Sequence, residues 1–373
     1  MAASLSPKPR SVQRAALAHA LRCVTLATLC ASLAGCGTLD YYLQAVRGQW
    51  QIWQREQPIA NALARPDLSP ALRAKLELVE RARGFAHTAL ALPDHGSYHS
   101  FARLERDYVV WNVFAAPALS LTPVKSCFPL LGCVDYRGYF SEARARLAAT
   151  TLAAQGYDTF VGGVAAYSTL GWFEDPVLDT VLRWDDLRIV ETIFHELAHQ
   201  VLYIADDTAF NEGFAMSVAR LGVERWLADD APARARHAES QAREQAFLAL
   251  LMRYRAKLAT LYGSSEPDPA KRAAKQALFA ELAEDYARLR DSWGGYDGYD
   301  AWMGAELNNA KLASVATYHD EVEHFIALYA RCGNDLPRFY RAVRRLGDLP
   351  PASRRACLRD ANDPACADLA EPL

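Results

Sequence analysis

"DDLRIVETIFHELAHQVLYI", residues 185–204, decides how the rest of the chain is read. Val190, Ile193, Phe194, Leu197, Val201 and Ile204 recur at helical spacing and form one apolar stripe. Asp185 and Asp186 stand where a helix start and its dipole favour negative charge. The whole stretch is therefore expected to be one amphipathic helix. Each helical residue turns by about 100°, so residues four apart differ by about 40° and leave from one face. His195 and His199 can thus grip one ion. Glu196 sits on the adjacent strip, near enough to reach a water at that ion without being a ligand. Two neutral imidazoles, a third protein ligand, an open position and a nearby base are what a zinc hydrolase requires.

A third ligand is available downstream. "FNEGFA", residues 210–215, supplies Glu212, and a turn around "ADDTA" is expected to bring a second helix back with Asn211, Glu212 and Ala215 toward the metal side. Asp206 and Asp207, between the two helices, are candidates to orient an imidazole. Further on, "NNAKLASVATYHDEV" offers Tyr318, with His319 beside it, as a donor to the oxyanion of the transition state.

Upstream the pattern changes. "YVVWNVFAA", "CVDYRGYF" and "YDTFVGGVAAYSTLGWF" are β-branched and aromatic, punctuated by Pro and Gly, and read as strands of a small antiparallel sheet. "AAYSTLGWFEDP", residues 165–176, is a candidate edge strand for pairing with a peptide backbone, and Glu174 or Asp175 for holding a substrate α-ammonium. The plainer alternative puts Tyr167, Trp172 and Phe173 in the core and lets the two acids open a turn before Pro176. Two helical stretches precede the strands, the second started by Ser69 and Pro70, and their Tyr and Trp side chains are read as core. After Trp226 the chain is helical, broken by "GSSEPDP" and "SWGGYDGYD", and "RFYRAVRRLGDLPPASRR" reads as a solvated helix face. The fold class is α+β and helix-rich, a small antiparallel sheet with flanking helices.

The first residues carry Lys8, Arg10, Arg14 and Arg22 without an acid, followed by the apolar "CVTLATLCASLAG". Such a segment is an export signal, too short to span a bilayer stably. It ends in Leu33-Ala34-Gly35-Cys36, which resembles a bacterial lipoprotein processing site, so that Cys36 becomes the lipidated first residue. Gly37 in place of Asp favours an outer-membrane anchor facing the periplasm. Beyond Cys36, Cys127 with Cys133 and Cys357 with Cys366 are spaced for two local disulfides in an oxidising compartment, leaving Cys332 over. The organisation expected is residues 1–35 as leader, 36–97 as an N-terminal helical segment, 98–225 as the catalytic region and 226–373 as a helical region packed with it. A net charge of −3 supplies no basic field for nucleic acid. Neither a GxSxG elbow nor a phosphate-binding loop is present.

"HELAH" followed by "NEGFA" resembles the gluzincin metallopeptidases, in which one helix supplies two His ligands and a later Glu the third. Together with "CGTLDYYLQAVRGQ", "SCFPLLGCVDYRGYF" and "AAYSTLGWFEDPVL", these motifs are similar to a bacterial family of predicted lipoprotein aminopeptidases. The resemblance implies a zincin-like fold, Zn2+ held by His195, His199 and Glu212, Glu196 as base, and peptides trimmed from the N-terminus in the cell envelope. Two other functions fit the same residues: an envelope endopeptidase with a cleft open at both ends, and a non-catalytic lipoprotein that zinc stabilises.

Overall fold

In the computed structural model the described residues are 36–363 and Cys366, apart from 129–131, 167, 168, 170–172 and 320, and apart from the side chains of 36–40 and 316–319. The leader, the Cys36 thiol, Tyr167, Trp172 and the side chains of Tyr318 and His319 therefore lie outside the described residues.

The chain divides into two units, one ending at Gln51 and the other beginning at Ile52. Residues 36–51 of helix α1 (Cys36–Trp53) are the described part of the first. Its aromatic residues depart from expectation, because Tyr42 and Trp50 are exposed. In the second unit, β1 (Glu56–Pro58) and α2 (Ile59–Leu63) lead to α3 (Pro70–Leu90). Pro70 opens α3 and the Ser69 hydroxyl accepts from the Leu72 amide at 3.3 Å, as the sequence suggests.

The strands follow: β2 (Ser100–Ala102), β3 (Val110–Pro117), β4 (Ser126–Phe128), β5 (Gly132–Val134), β6 (Arg137–Tyr139), then helix α4 (Glu142–Ala154), β7 (Tyr157–Val164) and β8 (Val177–Leu178). They form three small sheets rather than one. The order β6-β3-β7 is antiparallel, with Val113 opposite Arg137 on one side and Val161 on the other. In the second sheet β1 and β2 are antiparallel but β2 and β8 are parallel, Phe101 pairing with Val177. A parallel pair needs a long crossover, and the chain between β2 and β8 provides it. The expected strand at residues 165–176 is absent among its described residues: regular pairing stops at Val164, where β7 is an edge of its sheet. The third sheet is the β4–β5 hairpin, closed by a disulfide between the paired residues Cys127 and Cys133.

Helices complete the unit: α5 (Asp186–His199), α6 (Thr208–Trp226), α7 (Ala231–Gly263), α8 (Asp268–Ser292), α9 (Asp300–Gly304), α10 (Asn309–His319), α11 (Val322–Arg331), α12 (Leu336–Gly347) and α13 (Pro351–Arg359). Helix content dominates, as an α+β, helix-rich reading requires. The apolar faces of α3, α5, α6, α11 and α12 share one core, in which Val79, Ile193, Phe194, Phe214, Phe325 and Phe339 are fully enclosed. Each such side chain contributes about 1.5–3 kcal/mol by leaving water. Helices α7 and α8 form a second core around Phe247, Leu251, Tyr254 and Leu282. Cys357 and Cys366 are disulfide-bonded, and Cys332 is free and buried.

The stretch read as a solvated helix face is one only in part: Arg338, Arg341 and Arg344 are exposed. Leu336, Phe339, Tyr340, Val343 and Leu346 bury one face of α12, and Arg354 of α13 is itself buried. Its guanidinium donates to Asp207 Oδ2 at 2.5 Å and to the carbonyls of Leu346, Gly347 and Leu349, and it stacks on the Phe210 ring at 5.3 Å. Asp207 is the residue before α6, so this pair fixes where that helix begins. Removing one member of a buried pair strands the other's charge. Arg354→Ala is expected to lower the unfolding free energy by about 3–5 kcal/mol in urea denaturation. Arg355→Ala, which removes a half-exposed partner 3.4 Å from Asp207, should cost less than about 1 kcal/mol.

Candidate metal centre

Helix α5 begins where the Asp185 carboxylate accepts from the Arg188 amide at 3.0 Å. It ends earlier than the apolar stripe suggests. After His199 the chain tightens, Gln200 N–H donating to Leu197 O at 3.1 Å and Val201 N–H to Ala198 O at 2.9 Å. His195 and His199 thus occupy the last turn, on the face away from Ile189, Ile193 and Phe194.

The connection to α6 is held from three sides. The Asn211 amide clamps Ile204, its Oδ1 accepting from the Ile204 N–H at 2.9 Å and its Nδ2 donating to the carbonyl at 2.7 Å. Asn211 therefore serves the loop rather than the metal side. Asp206 takes a left-handed φ of 67° and accepts from the Cys133 N–H at 2.5 Å. Gly132 in the disulfide-closed hairpin lies so near that a Cβ there would fall 2.6 Å from Asp206 Oδ1 and 2.8 Å from its backbone nitrogen. Asp207 is bound to Arg354. Both aspartates are thus engaged with the scaffold rather than with an imidazole, and they set the position from which α6 presents Glu212.

The three side chains expected to ligate a metal meet. His195 Nε2 and His199 Nε2 are 3.2 Å apart, and Glu212 Oε2 lies 3.3 Å from the first and 3.8 Å from the second. A tetrahedral ion bound at about 2.0–2.1 Å separates its ligand atoms by about 3.3–3.4 Å. Two sides of the triangle, 3.2 and 3.3 Å, are close to that separation, and the third, 3.8 Å, is longer. Two imidazole nitrogens turned toward each other are disfavoured as a neutral pair of acceptors, and a cation between them removes the conflict. His199 Nδ1 is buried without a hydrogen-bond partner, leaving Nε2 as the nitrogen placed to bind. The donor set of two imidazoles and a carboxylate fits zinc.

Charge and burial act on each member. Burial drives the His199 pKa down to about 4, against the pull of Glu212. For His195 burial is outweighed by the hydrogen bond and charge of Glu212, with Glu196 and Glu191 adding, and its pKa is raised. Burial would raise Glu212, but the two histidines hold it below the ordinary carboxylate range.

Glu196 is partly buried beside the ligands. It faces Tyr98, whose phenol is pushed up by burial and then by the charges of Glu196 and Asp175. Tyr98 is buried with a left-handed φ of 64°, a strained backbone of the kind found where geometry serves a site. Sequence reading missed it; the turn-forming "DHGSYH" was the available signal. Ser97 links this turn to its surroundings, its hydroxyl accepting from Gln200 Nε2 at 2.8 Å and from the Asp175 N–H at 3.2 Å. Asp175 is buried and its carboxylate accepts from the Thr169 N–H at 2.8 Å, so it holds a loop. Glu174 is exposed and lies over Gly96, where a Cβ would come within 2.5 Å of its Cδ. Phe173 is exposed rather than core, edge-on to Trp53 at 5.2 Å.

Two outcomes follow. In metal-free protein His199 stays neutral to about pH 4 while the unfolded chain protonates it near the ordinary 6.5; this contribution is present above the unfolded value and lost as pH falls. His195, with a raised pKa, contributes in the opposite sense. Calorimetric melting between these pH values should therefore show an acid-side fall that is smaller in His199→Gln. Gly132→Ala should lower the melting temperature by several degrees with the disulfide formed, and weaken zinc binding in titration calorimetry by displacing Asp206.

The family whose description reads "Putative aminopeptidase" matches residues 40–358, a span that includes His195, Glu196, His199 and Glu212. No curated protein and no solved structure matches the chain. Since the match takes in well over half of its length, the chain belongs to that aminopeptidase family.

Proposed function

We propose that the protein is a zinc-dependent aminopeptidase of the gluzincin type, with a zincin-like catalytic region, that trims peptides in the bacterial cell envelope. The observation that carries this reading is the His195–His199–Glu212 triangle with Glu196 beside it. Zinc bound there would polarise the scissile carbonyl and bring a water to a pKa of about 7. Glu196 takes the proton of the attacking water and delivers it to the leaving amine. Glu174, exposed at the 96–98 turn, is our candidate for the substrate's α-ammonium, the group that distinguishes an aminopeptidase from an endopeptidase. Tyr318 is the candidate oxyanion donor, on the strength of its sequence position alone.

The anchor reading rests on the basic leader and Leu33-Ala34-Gly35-Cys36, which support an outer-membrane lipoprotein facing the periplasm. The two disulfides are in keeping with an oxidising compartment. No described helix is long and apolar enough to cross a membrane.

Protein lacking residues 1–36, loaded with zinc, should remove single residues from free peptides and leave N-acetylated ones intact, as mass spectrometry of the products will show. Glu196→Gln should reduce kcat by at least about 100-fold with zinc still bound, whereas His195→Ala should lose the metal. Internal cleavage of acetylated peptides would assign an endopeptidase. Zinc-dependent folding without hydrolysis would assign a structural role.

A further inference from the structure

Helix α1 carries large apolar side chains on its solvent side. Leu43, Val46 and Trp50 are 59%, 68% and 56% exposed, and Tyr42 beside them is exposed as well. At about 100° per residue these four fall within one strip about 100° wide. Contiguous exposed apolar surface of this kind marks an interaction site.

The surroundings of the strip point to its occupant. The helix carries two charged residues, Asp40 before the strip and exposed Arg47 next to it. Trp and Tyr favour the boundary between headgroups and acyl chains, and an apolar strip flanked by a cation is the pattern of a helix lying in that boundary. The helix starts at Cys36, the residue that the lipoprotein reading acylates. Acyl chains in a bilayer hold residue 36 at its surface, and Trp50 is then about 21 Å away along the helix, so the strip is kept near lipid at high effective concentration. The helix is not apolar enough to cross.

We propose that the Tyr42–Leu43–Val46–Trp50 face of α1 is a membrane-contact surface that seats on the lipid interface holding the Cys36 anchor; in its placement beside the anchor it rests on the lipoprotein reading.

The test uses the full chain, made with its leader in a bacterial host and reconstituted into phosphatidylethanolamine–phosphatidylglycerol vesicles whose acyl chains carry bromine near the headgroups. Intact mass reports Cys36 acylation, and tryptophan fluorescence reports contact with the brominated lipid. Quenching that Trp50→Phe largely removes, and that Leu43→Ser with Val46→Ser weakens while Trp50 is retained, supports the surface. The same Trp50-dependent quenching in a chain that is not acylated supports the surface and overturns the anchor. Acylated protein whose quenching is unchanged by Trp50→Phe overturns the surface and leaves the anchor standing. A dimer that Leu43→Ser dissociates, with Trp50 shielded from bromine, overturns it in favour of a second copy of the chain.

Discussion

Two imidazole nitrogens 3.2 Å apart, with one carboxylate oxygen facing both, form the arrangement on which the rest of the molecule is organised. Apolar packing does not produce it. It brings three polar groups out of water at once, which costs free energy unless each finds a partner. A hydrogen bond from His195 to Glu212 satisfies part of the requirement, yet the buried His199 Nδ1 has no partner. A divalent cation between the two Nε2 atoms and Glu212 Oε2 would give those three atoms a common partner, though not His199 Nδ1. The opposed shifts of the two histidines express the same imbalance: one imidazole is claimed by the carboxylate and the other is left neutral by burial.

Such a triangle needs its corners set independently of the ion, and the two helices achieve this differently. His195 and His199 share one rigid element, whose buried face locks it into the core. Glu212 belongs to a different helix, so its placement depends on the short connection between them. That connection is tied to the hairpin through Asp206 and Cys133, to the C-terminal helices through Asp207 and Arg354, and to itself through Asn211 and Ile204. Segments distant in sequence thus converge on eight residues of loop. The buried arginine is reasonable in this light: its pair with Asp207 yields little stability net of desolvation, but it fixes one geometry among several.

The other side of the site is a loop assembly. Ser97 joins the residue after His199 to the backbone of Asp175, so the turn carrying Tyr98 and the segment carrying Glu174 are both tied to the end of α5. Tyr98 holds a strained backbone conformation there, which persists only because its neighbours determine it.

Much of this was readable from residues alone, because helix periodicity and spacing are local. His195, Glu196 and His199 are placed by a 3.6-residue repeat, Glu212 by the NE motif in the next helix, and the Cys127–Cys133 hairpin by turn residues between nearby cysteines. Local rules also explain what misled. An apolar stripe continued past His199, although the helix did not, because a backbone turn bound to Asn211 ends it. Arg354 and Asp207 have the composition of surface residues and are buried, since each neutralises the other across 147 positions. Tyr42, Trp50 and Trp53 of α1 have the composition of core and are exposed. The sequence by itself determined which residues are candidates to hold a metal and which helices bear them. Only the tertiary structure decided which acids are spent on loops, which are left facing the site, and how far apart the ligands stand, because those depend on contacts between segments that no local pattern encodes.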